Sequence, residues 1–312
     1  MPIELYGDNL HSCKMFSGQV VRTEVQTCQG LVVHGYHAAL IDPGGTATFN
    51  RVLAQLGPHL KHLDYLLFSH QDPDTTGALE GWVLATRSKV VIPELWERSL
   101  PHLCAPGILD GRVITIPDAG LELPMGNYRL RALPAHFLHS EGNFHFHDPV
   151  ARTLFSGDMG SAIGVEELCT PVESLGPHIR YMEPFHRRHM SCNKACRLWA
   201  DMVREIDLEW LVPHHGPPLH GRGVIIDFLE WISELECGTD LLTAADYRPP
   251  GPVRHQGTVR MPPPQPEAPV TSHQSPVTSH QSPVTSHQSR NTCIPYPLSI
   301  NPYPLTFIPS PR

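Results

Sequence analysis

Over its first 245 or so residues the chain alternates short apolar runs with Gly, Pro and Asp; beyond Tyr247 that rhythm stops. Eight runs read as strands that end in turns: GLVVHGY (30–36), AALIDPGG (38–45), DYLLFSH (64–70), KVVIPE (89–94), RVITIP (112–117), YRLRALPAHFL (128–138), ARTLFSGD (151–158) and LEWLVPHHG (208–216). Four stretches carry apolar residues at three- and four-residue spacing and predict helices: FNRVLAQL (49–56), ALEGWVLATR (78–87), NKACRLWADMVREI (193–206) and VIIDFLEWISELE (224–236). Strands interleaved with helices over this length predict an α/β domain, residues 1–245, with sheet and helix layered around one core.

Residues 246–312 turn to Pro, Ser, Gln and His, a composition that cannot bury enough apolar surface to offset chain entropy. A disordered low-complexity tail is expected there. PVTSHQS occurs in it three times in tandem, at 269–275, 276–282 and 283–289. The codons CCA GTC ACC AGT CAC CAG TCA encode PVTSHQS and are themselves CCAGTCA repeated. Repetitive DNA read through all three frames therefore yields this repeat without selection on the protein, and its histidines need no metal-binding role.

Composition narrows the functions. The formal net charge is −8 and no basic stripe is present, which argues against nucleic acid as a partner. No apolar run is long enough to span a bilayer, and no basic start precedes an apolar signal core, so a soluble cytoplasmic protein is expected. Eight cysteines without a CxxC pair read as reduced thiols. Cys192 and Cys196, four apart on an expected helix, share a face and read as half a zinc site or, more simply, as small buried hydrophobes. Histidine is the unusual count, at 21.

Four apolar runs terminate in acid or imidazole: SHQDPD (69–74), FLHSEGN (137–143), LFSGDMG (154–160) and VPHHGPP (212–218). In a layered fold, strands that end on one side set such loops side by side, where ligands converge. His70, Asp72 and Asp74 sit at the end of one such buried strand. Imidazoles and carboxylates without thiolate form a hard donor set that suits iron or manganese.

With Asp42 and Gly44 in LIDPGG as an early strand-end turn, this order of motifs resembles the metallo-β-lactamase superfamily over residues 3–236. Within it, the chain looks like the oxygen-binding diiron domain of flavodiiron proteins. Zinc hydrolases of that fold carry HxHxDH in the first loop and the diiron branch carries HxExDH; here His70, Gln71, Asp72, Pro73, Asp74 and Thr75 stand in those places. The resemblance implies a four-layer αββα sandwich and two irons, the first held by His70, Asp72, His139 and Asp158, the second by Asp74, His215 and a bridging Asp158. Thr75 replaces the histidine of many members, so the second iron is short of one ligand and keeps room for water or dioxygen. His214 is disfavoured as a substitute because neighbours on a strand point to opposite faces. His136 is set aside in favour of His139, and Arg187 or Arg188 of FHRRHM (185–190) is the preferred outer partner of the ligands.

The flavodoxin domain of flavodiiron proteins has no counterpart after residue 247, so no FMN is expected, and no cysteine pattern supports a fused rubredoxin. Two readings follow: a dioxygen sensor acting on a signalling partner, or an oxygen or nitric oxide reductase fed by a separate flavoprotein or rubredoxin. A zinc hydrolase is the alternative, against which Asp72 and Thr75 remove two of four first-loop positions. A homodimer is compatible with either reading.

Overall fold

A computed structural model describes residues 2–18, 25–249 and 251 of the chain. Residues 1–250 form one compact unit and 251–312 are a second; the elements below all belong to the first. The repeats of the expected tail lie outside the described residues.

Two sheets carry the unit. The first runs β1 (Ile3–Gly7), β2 (His11–Phe16), β3 (Gln29–His34), β4 (His37–Ile41), β5 (Leu63–Leu67), β6 (Lys89–Pro93) and β7 (Val113–Ile116), in that spatial order. Its pairs are antiparallel up to β4 and parallel from β4 onward. The second contains β8 (Leu121–Met125), β9 (Tyr128–Pro134), β10 (Phe144–Asp148), β11 (Thr153–Phe155), β12 (Trp210–Val212) and β13 (Leu219–His220), ordered β13-β12-β11-β10-β9-β8 and antiparallel except for β11 with β12. The helices are α1 (Phe49–Leu56), α2 (Pro73–Thr76), α3 (Leu79–Ala85), α4 (Ile179–His189), α5 (Asn193–Arg204) and α6 (Arg222–Glu234).

Strand alternation divides the apolar residues into three layers of core. Cys13, Val32, Ile41, Leu67 and Val91 of the first sheet meet Leu130, Phe144, Phe146 and Phe155 of the second. The opposite face of the first sheet, with Leu31, Leu40, Leu66 and Val90, packs on Val52 and Leu56 of α1 and on Leu79 and Trp82 of α3. Leu154 and Leu211 of the second sheet cover Trp199 and Val203 of α5 and Phe228 and Ile232 of α6. The result is the expected αββα sandwich.

The expected strands and helices are present, with ends trimmed where turns begin. Periodicity did not reveal β1, β2, β8, β10 or α4. In β10, FHFHD, histidines occupy the positions that alternate with Phe, yet all five residues are buried, so the polar reading of His hid a strand covered on both faces. α4 carries Pro184 in its interior and few apolar residues, and only Met182 and His186 are buried along it.

Candidate metal centre

The loops of interest leave the carboxyl ends of β4 and β5 in one sheet and of β9, β11 and β12 in the other, the edge where open α/β sheets bind ligands. Backbone bonds stitch them together. Phe144 N–H donates to Ser69 O (2.9 Å), His214 N–H to Gly157 O (2.6 Å) and Ala162 N–H to His215 O (2.9 Å). Gly157 has a left-handed φ of 49°, and a Cβ there would approach Ser69 Oγ to 3.1 Å, so glycine is required between Ser156 and Asp158.

Asp158 stands at the centre. Its Oδ2 lies 2.8 Å from His139 Nε2, and its Oδ1 lies 3.4 Å from His215 Nε2 and 4.0 Å from His70 Nε2. Asp72 Oδ2 is 3.6 Å from His139 Nε2, and Asp74 Oδ2 is 3.5 Å from His215 Nε2. Ligand atoms that share an ion at about 2.1 Å stand roughly 3–4 Å apart; four of these five spacings suit that, while His139 with Asp158, at 2.8 Å, is at direct hydrogen-bond distance. In two clusters, His70 with Asp72 and His139 and His70 with Asp74 and His214, the ligand atoms all lie within 4.8 Å of one another. All six residues expected as ligands therefore converge on one site.

The hydrogen bonds behind the site decide which nitrogen faces it. Asp42, at φ 48°, accepts from Ser69 N–H and from the Ser69 hydroxyl, each at 2.8 Å. With that hydroxyl proton committed to Asp42, Ser69 Oγ accepts from His70 Nδ1–H at 2.8 Å. Nε2 of His70 then carries its lone pair toward the site, and it is a buried nitrogen with no hydrogen-bond partner. His215 is set in the same way, because Nδ1 at 2.8 Å from Gln26 O must donate to a carbonyl. Such outer partners fix tautomer and ring angle and raise ligand basicity.

Charge follows burial. Burial drives the His70 pKa down to about 3 and lowers that of His215, so both rings are neutral and free to coordinate. Burial alone would raise Asp158, but the neighbouring His70, His139, His215 and His214 hold it well below the usual carboxylate range. Asp74 lies at about 2 for a similar reason: burial opposes the shift and His214 outweighs it.

Two expectations change, and a third, that His136 is not a ligand, stands. His214 does reach the site, with Nε2 3.6 Å from Asp74 Oδ2 and its ring centroid 5.3 Å from that of His70. The strand ends at Val212, so residues 214 and 215 lie beyond the region where side chains alternate. Both His214 nitrogens are buried without a hydrogen-bond partner. In FHRRHM it is an imidazole, not a guanidinium, that supports the loop: His186 Nε2 accepts from Gly160 N–H at 2.9 Å, while Arg187 pairs with Glu183. His136 stays outside, with Nε2 on Asp118 O.

Thr75 turns its hydroxyl to the carbonyls of His70 (3.0 Å) and Asp72 (2.7 Å) and offers no ligand atom. Sequence reasoning also missed Ser69 and Gln26, while His145 is the packing residue that was expected. His145 is buried on β10, where Nδ1 accepts from Trp199 Nε1–H at 2.9 Å. Ser69 abuts a ligand and was open to suspicion; Gln26 acts through its backbone and leaves no mark in the sequence.

The family described as ODP family β-lactamase matches residues 25–216, more than half of the chain. The chain belongs to that family. Its fold matches the chemotaxis sensor ODP, solved as a peroxy diiron species, at a TM-score of 0.69 and 33% identity over 77% of this chain and 97% of that one. The apo state of the sensor from T. denticola gives a TM-score of 0.70 at the same identity and coverage. The rubredoxin oxygen:oxidoreductase of Desulfovibrio gigas shares the fold at a TM-score of 0.61 and 15% identity, over 74% of this chain and 61% of that one. No curated protein matches in sequence. Among the described residues no helix is long and apolar enough to cross a membrane.

Proposed function

We propose that this ODP-family chain is a diiron protein that binds dioxygen and acts as a sensor. The observation that carries the reading is Asp158, one carboxylate placed among three imidazoles, as a bridge between two ions requires. His70, Asp72, His139 and Asp158 would hold the first ion; Asp74, His215 and Asp158 the second, with His214 in reach of it. The chemotaxis sensor named above, solved as a peroxy diiron species, supports both the metal and the role. A diiron pair supplies reversible electron release to dioxygen when bound.

The chain's own residues prepare that chemistry. Ser69 and Gln26 present neutral imidazole lone pairs, the three aspartates offset the charge of two ferrous ions, and Thr75 withholds a ligand on the Asp74 side. Asp72 and Asp74 are partly exposed, which leaves that side open to a small molecule.

A reductase of dioxygen or nitric oxide served by a separate flavoprotein or rubredoxin is the second reading, favoured by the fold shared with rubredoxin oxygen:oxidoreductase. Metal analysis after purification without air comes first: about two irons per chain are expected, and zinc alone would return the reading to a hydrolase. The reduced protein is then given dioxygen with and without a catalytic amount of reduced rubredoxin. A sensor reacts once and recovers slowly; many turnovers with the donor would make it a reductase.

A further inference from the structure

The two thiols that share a helical spacing do not meet. Cys192 is the N-cap of α5 in extended conformation and is only half-buried. Cys196, one turn on, faces Cys237, which follows α6; their Sγ atoms are 3.8 Å apart and both residues are fully buried. The segments that carry them are clamped. The Asp240 carboxylate accepts from Cys237 N–H (3.2 Å) and Asn193 N–H (2.5 Å), and Asn193 Nδ2 donates to Ser233 O (2.8 Å) and Leu235 O (3.0 Å).

We propose that Cys196 and Cys237 are a thiol-oxidation site that closes reversibly to a disulfide with hydrogen peroxide as oxidant. The Cys237 sulfur attacks peroxide: an S–O bond forms, the O–O bond breaks, and the released hydroxide takes up the thiol proton as water. Cys196 then attacks that sulfur; the S–S bond forms, the S–O bond breaks, and hydroxide leaves with the second thiol proton as water. Two thiols lose two electrons, and one peroxide becomes two waters.

The roles follow from the contact. The contact between the two sulfurs lowers the Cys237 thiol, whereas the same contact and burial raise Cys196, so Cys237 is the more readily ionised partner. A cavity of about 570 Å³ is lined by Ser191, Cys192, Ala195 and Thr239; Ala195 directly precedes Cys196, and Thr239 follows Cys237 by two residues. The pair also touches the metal loop indirectly. Thr239 N–H donates to Ser191 O (2.8 Å), and Ser191 N–H donates to Phe137 O (3.3 Å), two residues before His139.

The test is chemical and independent of which metal is bound. The reduced full-length protein, with and without metal, is treated with hydrogen peroxide, alkylated in denaturant and digested with trypsin without reductant. Cleavage after Arg188, Lys194, Arg197, Arg222 and Arg254 puts Cys192, Cys196 and Cys237 on three separate peptides. The expected product joins peptide 195–197 to peptide 223–254 with loss of two hydrogen atoms, disappears on reduction with dithiothreitol and persists in Cys192→Ser. Full alkylation of Cys196 and Cys237, oxidation confined to Cys192, or a cross-link made through peptide 189–194 would each overturn the assignment.

Discussion

Ser69 shows how much of the proposed metal site rests on a residue outside its candidate ligands. Its hydroxyl, committed to Asp42, leaves His70 Nδ1 only the role of donor, and that is what turns Nε2 toward the site. Ser69→Ala should weaken metal affinity about 10–100-fold, measured by competition with a chromophoric chelator, while the fold is kept. Asp158→Ala should release both ions together, because each loses a ligand at once; retention of two irons with an unchanged spectrum would remove the bridge from the reading. His215 lies close to both Asp74 (3.5 Å) and Asp158 (3.4 Å), whereas His214 approaches Asp74 at 3.6 Å without the same closeness to Asp158. His215→Ala is therefore expected to lower occupancy of the second ion more than His214→Ala, by metal analysis of the two variants. Thr75→His carries a cost beyond filling a position, since it removes two hydrogen bonds that close the turn.

Among the elements, the loop from β9 to β10 carries His139 and is held from within. Asn143 Nδ2 donates to Leu138 O at 2.6 Å, its own carbonyl accepts from Ala135 N–H, and its Oδ1 accepts from the Ser140 hydroxyl. Asn143→Ala leaves the buried Leu138 carbonyl unpaired and should cost about 1–3 kcal/mol by denaturant unfolding. Loss of metal at the first position should accompany it, because the carbonyl freed lies one residue from the ligand. α4 supports the neighbouring loop differently: His186 bridges Met182 O to Gly160 N–H and so links a helix to the turn after Asp158. That contact explains why FHRRHM matters through its first histidine, a choice between imidazole and guanidinium that the string alone left open.

At the scale of the whole molecule, burial of histidine sets a pH dependence. His145, His147 and His186 lie at about 3, 4 and 4 against an ordinary 6.5, each because burial disfavours the charged ring. Depressed values mean that the unfolded chain binds more protons below about pH 6.5, so stability is fully present above that value and declines as pH falls toward 4. His214, raised to about 9 against burial by Asp74 and Asp42, contributes fully below 6.5 and adds no slope in that range. Asp42, raised by burial, acts in the opposite sense. The thermal midpoint of metal-free protein should drop between about pH 6.5 and 5, and a flat profile would contradict the neutral-imidazole assignment. Removal of residues 249–312 should leave both that midpoint and the metal content unchanged, since their composition offers little to bury.

The sequence by itself determined an α/β domain with sheet and helix in layers, and its resemblance to the diiron branch implied the αββα sandwich and the six candidate ligands. Apolar runs with periods of 2.0 and 3.6 specify strands and helices locally, and a polar residue at the end of a buried strand is visible without coordinates. Tertiary structure alone decided the rest. Which ring nitrogen faces the metal depends on Ser69 and on the Gln26 carbonyl, the latter 189 residues from His215 in sequence. His214 joined the site because β12 stops at Val212, a boundary set by pairing with β11 and β13 and not by the local pattern. Cys196 found Cys237 and not Cys192 because α5 and the segment after α6 are clamped through Asp240 and Asn193. Apart from the contact of Ser69 with the adjacent His70, each deciding contact is long-range, and local propensity carries no record of it.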